Sequence, residues 1–440
     1  MPQVTIRPVS LNTDLEATDA PDQWQVMTDV AIRDQRVEKA KGYQLMVSAD
    51  FLGPSSFGTK SFIAEQWLLF YLEKLGGGSV FIYSWDGTTK VQQSAALLDP
   101  DAFGSSFIWA ELDGRPILSG NTSGPVFAAQ AVHAVEPWAP FDNNWPLVIT
   151  NSERKIVRSI RVFKNFLIGM NWSALEPDPG VDESFMVRWS DAWEPGADPT
   201  IGPDWLPAPD NLAGDALLGA GVSGLVDGGK ISGDQFMIYG DQEAWLMQFI
   251  GGNNIFQIRK VFSSVGLANI NCIAQVKRGH VVLTRDDVVF HNGVEARSIA
   301  SLRIRKAIFD DIQHENSFVQ HYVEQSEVWF FISNRVVGAQ TTVWVWNYAE
   351  DAWSRRRVTD PLSSTLIKAG TEFGFVDERY RMVVAHGQTG DYAFLDEGTD
   401  QQGVPFAGVV ETQDHDLGDS SRIKTVTRLW PKLTGAASVN

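Results

Sequence analysis

A single cysteine, Cys272, stands among 440 residues, which excludes an internal disulfide and any metal cage built from several thiolates. It lies in the alternating stretch NINCIAQV, the setting of a buried strand residue. Cationic side chains are also few: 36 Lys and Arg face 54 Asp and Glu, for a formal charge of −18. Such a surface repels phosphate backbones on average, which argues against nucleic-acid recognition through a basic face. No apolar run reaches membrane-spanning length, the longest lying around WLLFYL, and no basic segment followed by an apolar one opens the chain. The chain therefore reads as soluble, made in a cytoplasm and not inserted in a membrane. Helical periodicity is scarce. Residues 301–313 (SLRIRKAIFDDIQ) gather Leu302, Ile304, Ala307, Ile308 and Ile312 toward one face, and residues 62–75 form a second candidate helix.

What is present points to strands. The composition is 44% hydrophobic, with 16 Trp and 25 Phe, enough to build a sizeable core. Apolar or alternating runs recur, each followed by a polar turn pair: Asp86-Gly87, Asp113-Gly114, Asn292-Gly293 and Glu350-Asp351. Asn-Gly and Asp-Gly between strands tolerate the positive φ that tight hairpins need. Residues 281–299 read as three successive strands, most of a propeller blade. Multi-strand blocks begin near Leu68, Phe107, Phe166, Phe236, Val281, Val328 and Arg381, the last intervals being about 45 to 53 residues. Propeller blades repeat every 40–50 residues or so. The expected fold is all-β: an irregular β-propeller of six or seven blades with few short helices, a pair of β-sandwiches being the runner-up. Two stretches break the rhythm, 174–183 and 191–215, rich in Pro, Gly and Asp and free of basic residues. Both are expected to be long surface loops.

Catalytic and cofactor signals are weak. Gly219-Ala220-Gly221-Val222-Ser223-Gly224 fits the dinucleotide fingerprint in letters, with Asp241 and Glu243 downstream. A Pro/Asp loop precedes it and LVDGGKISG follows, whereas the fingerprint needs a strand before and a helix after. The seven histidines, 133, 280, 291, 314, 321, 386 and 415, show no paired metal spacing. His314-Glu315 with His321, and Asp414-His415-Asp416, are better read as structural. No cofactor, metal or catalytic residue is expected. The rival reading from another class is a carbohydrate-binding or glycan-degrading propeller, using Trp-flanked acids such as Asp191 between Trp189 and Trp193. Against it, Asp-box turns are absent, and the Trp residues of VWVW and VWFF follow a core-strand pattern.

Segments across residues 4–433 also resemble, in order, the tail nozzle proteins (tail tubular protein B type) of short-tailed bacteriophages. DQWQVMTDVAIRDQRVEKAKGY is similar to the family's opening at Trp24, Arg33, Asp34, Glu38, Lys39 and Gly42, with Gln35 where the family carries Gly. AELDGRPILSGNTSGPVFA matches at Gly114, Ile117, Leu118 and Pro125. VRWSD, NLAG, GDQFMIYGDQEAWLMQFIGGNNIFQIRKVF, VWNYAEDAW and DLGDSSRIKTVTRLW continue the likeness. Against the family's pattern, an extended C-terminal region would be expected to be shortened or missing here.

The resemblance implies a virion tail protein with no enzymatic activity. Residues 1–60 would contribute to a platform or docking region, 61–400 would form the propeller, and 401–440 would return to the platform. Six copies would surround a channel under the portal–adaptor ring, with tail fibres or spikes attached, holding and then conducting genomic DNA without sequence-specific binding. At −18 per copy such a ring is acidic, suited to passing DNA without adhesion. Loops 174–183 and 191–215 are then the candidate channel or gate elements, through Asp178, Asp182, Glu183, Asp198, Asp204 and Asp210.

Overall fold

The computed structural model describes residues 10–14, 23–47, 59–63, 66–74, 80–86, 88–93, 107–120, 123–128, 138–140, 155–173, 183–194, 202–219, 224–252, 254–301, 303–334, 341–357, 367–374, 380–386, 392–401 and 403–412. Turn chemistry sets its hairpins. Asp113 and Gly114, at φ 51° and 75°, join Phe107–Leu112 to Arg115–Gly120, so the expected Asp-Gly turn forms with both residues left-handed. Asp34 and Gln35 do the same at φ 51° and 57° between Val30–Arg33 and Arg36–Lys39. Gln35 thus occupies a conformation that glycine adopts more easily. Elsewhere side chains cap the turns. Asn292 Oδ1 accepts the amides of Val294 and Glu295 at 2.9 and 2.8 Å. Asn347 Oδ1 accepts those of Ala349 and Glu350 at 3.0 and 3.1 Å.

Seven sheets of four or more strands result among the described residues. Blade 1 is Thr59–Ile63, Gln66–Lys74, Val80–Trp85 and Lys90–Gln92; blade 2 is Phe107–Leu112, Arg115–Gly120, Ser123–Ala128 and Trp138–Pro140. Blade 3 is Ile156–Phe163, Phe166–Ser173, Met186–Trp189 and Gly214–Leu217; blade 4 is Leu225–Ser232, Gln235–Gly240, Ala244–Phe249 and Phe256–Phe262. Blade 5 is Ile273–Val276, Gly279–Leu283, Val288–His291 and Ala296–Ser298. Blade 6 is Phe318–Tyr322, Glu327–Ser333, Thr341–Asn347 and Ala352–Arg357, widened by Trp24–Thr28 and Val409–Thr412. Blade 7 is Ile367–Gly374, Tyr380–His386, Tyr392–Leu395 and, from the other end of the chain, Tyr43–Val47, with short strands Asp400–Gln401 and Val404–Pro405 beyond. The first strand of each blade touches that of the next, and blade 7 touches blade 1, closing a β-propeller.

Tyr43–Val47 is hydrogen-bonded antiparallel to Tyr392–Leu395, so residues before position 60 complete the last blade. Trp24–Thr28 lies parallel to Ala352–Arg357, through the pair Thr28 and Arg355, and antiparallel to Val409–Thr412. Both ends of the chain therefore fasten blades 6 and 7.

Two helix expectations change. Within 62–75, the described residues are strand: Gln66–Lys74 is flanked on both sides by Thr59–Ile63 and Val80–Trp85. A continuous apolar run such as WLLFYL suits a strand buried on both faces as well as a helix, and its neighbours decide. The helix expected over 301–313 contracts to Arg305–Phe309, with Ile308 buried, and Ile312 forms a bridge with Asn334.

Apolar side chains on both faces of strands such as Phe166–Ser173, Gly279–Leu283 and Glu327–Ser333 fill the gaps between blades. In Thr341–Asn347, Trp344 and Trp346 join the large core that runs through most of the ring, while Val343 and Val345 turn to the core shared with blade 7. Phe318 and Phe331, opposite each other in register, stack at 4.4 Å in that second core. Between blades 3 and 4, Phe163, Phe166, Phe236 and Phe256 form a third core, Phe166 and Phe256 meeting edge-on at 5.2 Å. The Trp residues of VWVW and VWFF are 1–3% exposed and belong to the core.

Candidate functional site

Of the loop acids, Asp178, Asp182 and Asp198 lie outside the described residues. Glu183 does not project: its carboxylate accepts from Lys155 Nζ at 2.6 Å and Arg188 Nη2 at 3.3 Å, and all three side chains are 7–11% exposed. Asp204 is half-buried next to Trp205, and its carbonyl accepts the Asp191 amide at 2.7 Å. Trp205 is fully buried, edge-on to Trp172 at 5.6 Å. That indole holds the described part of loop 191–215 against blade 3, and Gly214–Leu217 is the blade's fourth strand rather than loop. Asp191 is a turn former, its Oδ1 accepting the Ala192 and Leu212 amides at 2.8 and 2.9 Å. Asp210 alone of the described candidates is exposed.

The chemistry concentrates instead in three buried clusters. On the innermost strands, Asp227 of blade 4 accepts from Arg161 Nε and Nη2 of blade 3 at 2.8 and 2.6 Å. It also accepts from Ser159 Oγ at 2.6 Å and the Asn271 amide at 3.1 Å, and Arg161 Nη2 reaches Asn271 Oδ1 at 2.8 Å. Burial alone would raise the Asp227 pKa, but the Arg161 guanidinium and these donors outweigh it and hold the carboxyl below its usual range. This pair joins the inner strands of blades 3 and 4 to the entry of blade 5.

In the second cluster, Tyr239 Oη lies 2.7 Å from both His280 Nδ1 and His291 Nε2, with all three residues buried. The two imidazoles face each other across adjacent strands of blade 5. His280 Nε2 is 2.7 Å from the Lys230 carbonyl, which can only accept, so this nitrogen carries the proton and Nδ1 accepts from Tyr239. Gly293 N–H donates to His291 Nδ1 at 3.2 Å, so His291 Nε2 carries its ring's proton and donates to Tyr239. Every bond then runs one way, from Gly293 to Lys230. Burial pushes the imidazoles down, His280 to about 4 and His291, beside His280, to about 3. Both are neutral near pH 7.

The third cluster ties the chain ends to blades 6 and 7. Arg33 grips Glu327 through Nε and Nη2 at 2.9 and 3.0 Å and reaches Asp396 at 2.9 Å. Arg356 Nη1 donates to Asp396 at 2.7 Å, and its guanidinium lies over the Trp329 ring at 4.4 Å. Trp329 Nε1 donates to Glu327 at 2.9 Å. Burial of Asp396 is outweighed by the two guanidinium groups, which bring it down to about 2. A narrow cleft of about 10 Å³, room for roughly one water, adjoins the cluster, lined by Asp29, Lys41, Tyr43, Trp329, Arg356 and Phe406 among others.

Most of these residues belong to no motif, yet the sequence carries a signal for them. Asp227 in LVDGG and Glu327 in SEVWFF are single acids at apolar strands, where a charge persists only if paired. The fingerprint at 219–224 leads into strand Leu225–Ser232, so no helix end is there to receive phosphate. No group of His, Cys, Asp or Glu among the described residues has metal-binding geometry. Cys272 is buried as expected, just ahead of Ile273–Val276, and burial pushes its thiol up to about 12.

No known family description matches the chain, and no curated protein matches it. Similar solved structures include a streptogramin B lyase (10% identity, TM-score 0.48, covering 81% of this chain and 97% of that one). The BBS1 N-terminal region, solved in complex with ARL6, is similar at 9% identity and TM-score 0.47, covering 82% of this chain and 99% of that one. The WD40 propeller domain of Doa1 is similar at 11% identity and TM-score 0.44, covering 81% and 98%. At such identities and TM-scores these likenesses carry no functional argument, and the propeller rests on the strand order and closure of this chain itself.

Proposed function

We propose that the chain is a structural, non-enzymatic subunit of a phage tail nozzle, acting as one of six in a conduit below the portal–adaptor ring. The observation that carries this reading is the ordered recurrence of nozzle-like segments through residues 4–433. The fold is compatible with it. The propeller is closed by strands from both chain ends and cross-linked by buried ion clusters, a body suited to bearing load. Its charge of −18 suits a wall past which DNA slides. A ring requires each subunit to offer two different faces.

In this reading loops 174–183 and 191–215 narrow the lumen. Asp178, Asp182, Asp198 and exposed Asp210 are the acids that face DNA, while Glu183 and Asp204 serve the loops' own structure. Cryo-electron microscopy of the chain with its adaptor ring tests the proposal. A six-fold collar with a lumen wide enough for duplex DNA supports it. Isolated propellers beside an intact adaptor, or glycan binding by the free chain, overturn it. Asp210→Lys should slow DNA ejection without preventing assembly, and unchanged ejection kinetics would remove Asp210 from the lumen.

A further inference from the structure

We propose that the Asn292-Gly293 turn of blade 5 is a self-modifying site. The Gly293 backbone nitrogen attacks the Asn292 side-chain amide, ammonia leaves, and water opens the resulting succinimide to aspartate or isoaspartate. The inference does not depend on the nozzle reading. This is the one Asn-Gly pair in the sequence, and glycine puts no side chain in the path of its own nitrogen. The turn joins Val288–His291 to Ala296–Ser298, with Asn292 exposed and Gly293 buried. Nucleophile and electrophile belong to adjacent residues, so the Gly293 nitrogen needs no approach from outside. Only the later hydrolysis needs water, and the Asn292 side chain is open to it.

Three contacts set up the chemistry. Asn292 Oδ1 accepts the Val294 and Glu295 amides at 2.9 and 2.8 Å. A side chain whose oxygen reaches the amides two and three residues ahead is folded over its own following peptide, which brings Cγ toward the Gly293 nitrogen. The same two donors sit at oxyanion-hole distance from the oxygen that turns negative when that nitrogen adds to Cγ. The third contact is on the nucleophile: Gly293 N–H donates to His291 Nδ1 at 3.2 Å. His291 is neutral near pH 7, so this lone pair takes the proton as the N–Cγ bond forms. The bonds from His291 to Tyr239 and from Tyr239 to His280 spread the developing charge along the buried rings. Collapse of the tetrahedral intermediate breaks the Cγ–Nδ2 bond, and the amide nitrogen leaves as ammonia with the proton that His291 held. Water then cleaves one imide C–N bond. Opening at Cγ gives aspartate, and opening at the backbone carbonyl gives isoaspartate. The succinimide nitrogen carries no hydrogen, so His291 Nδ1 loses its donor until the ring opens.

The test incubates the full chain at neutral pH, either folded or unfolded in guanidinium, and then digests it with trypsin. Cleavage after Arg285 and Arg297 releases residues 286–297, in which Asn292 is the one asparagine. Mass spectrometry reads the loss of ammonia and the uptake of water, and chromatography separates aspartate from isoaspartate. Because His291 is a weak base, the folded chain should modify Asn292 about tenfold faster than the unfolded chain, short of the roughly hundredfold that a well-matched base gives. That ratio should fall toward one in His291→Gln, which removes the basic lone pair. It should also fall in Val294→Pro, which takes one donor from Asn292 Oδ1 at a position 75% exposed. Val294→Pro leaves the buried rings untouched and decides the matter if His291→Gln fails to fold. In the succinimide fraction of the unmodified chain, the His291 ring-nitrogen NMR signals should shift, since Nδ1 has lost its donor. A folded chain that reacts no faster than the unfolded one, or an unchanged ratio in both variants, overturns the inference and makes the turn a protected hairpin.

Discussion

Asp227→Asn removes the one carboxylate that faces Arg161 while keeping its size. In the native protein Asp227 is fully buried and Arg161 is 23% exposed, with two hydrogen bonds between them at 2.6 and 2.8 Å. The amide retains one acceptor, but it turns an NH₂ toward donors and leaves the guanidinium without its counter-charge. Breaking a buried pair from one side costs about 3–5 kcal/mol. Unfolding entropy near 2.1 cal/mol/K per residue, taken over 440 residues, gives about 0.9 kcal/mol/K, so the melting temperature should fall by about 3–5 °C if the ring unfolds as one unit. Calorimetry with urea titration reads both quantities. The exposed pair Arg305–Asp286, with side chains 44% and 81% exposed, is the control, and Asp286→Asn should cost under about 0.5 kcal/mol. The double variant Arg161→Leu/Asp227→Leu should be more stable than the sum of its single variants implies, because neither charge is then stranded. An Asp227→Asn cost below about 1 kcal/mol, or simple additivity in the double variant, would refute a role for the pair in joining blades 3 to 5.

Acid should destabilise the protein in two stages. The folded pKa values of His280 and His291, about 4 and about 3, lie below the usual 6.5, so the unfolded chain binds more protons. Their contribution is complete above about pH 6.5 and declines as pH falls toward 4, at up to about 1.4 kcal/mol per unit for each ring. Asp396, at about 2 against 3.8, adds a second loss below pH 3.8, and His291→Gln should flatten only the first stage in urea titrations run across pH. Gln35→Gly relieves a left-handed glutamine and, net of the unfolded-chain entropy glycine adds, should raise stability by about 0.5 kcal/mol by urea denaturation. At Gly42 an added Cβ would lie 1.6 Å from the Asp400 carbonyl oxygen, so Gly42→Ala should displace the C-terminal strands and lower the melting temperature. Cys272 should ignore a thiol reagent in the native protein and react at once in guanidinium, reporting opening of the core beside Ser317.

The sequence revealed much of the fold, because its information is local. Alternating runs, Asp113-Gly114 and the recurring blocks lead to the propeller without reference to distant contacts. What escaped was non-local. Residues 66–74 become a strand only because residues 59–63 and 80–85 bracket them. Tyr43–Val47 joins a blade whose other strands lie more than 300 residues away, and nothing in YQLMV announces that partner. Loop composition, the signal that points to the candidate acids, speaks to exposure in general and not to each side chain. Glu183 follows a Pro- and Asp-rich loop yet meets Lys155, 28 residues earlier in the chain. The buried clusters were legible only as anomalies, single charges in apolar strands, and their partners came from other blades.

Those partners explain how the ring closes. A propeller whose last blade used only C-terminal strands would be joined to its first blade by side-chain packing alone. Here Tyr43–Val47 enters before blade 1 and pairs with Tyr392–Leu395, so separating blade 7 from blade 1 requires breaking a backbone ladder. Arg33, ten residues earlier, then anchors the same segment to Glu327 and Asp396, in blade 6 and just past the third strand of blade 7. Placing two guanidinium groups and two carboxylates at this junction rather than apolar side chains gives little net stability, since desolvation cancels much of the attraction. It gives register instead. A one-residue slip of the hairpin Val30–Arg33 and Arg36–Lys39 would strand Arg33 and leave both acids short of a partner, so the ion cluster penalises misaligned closure far more than it rewards correct closure.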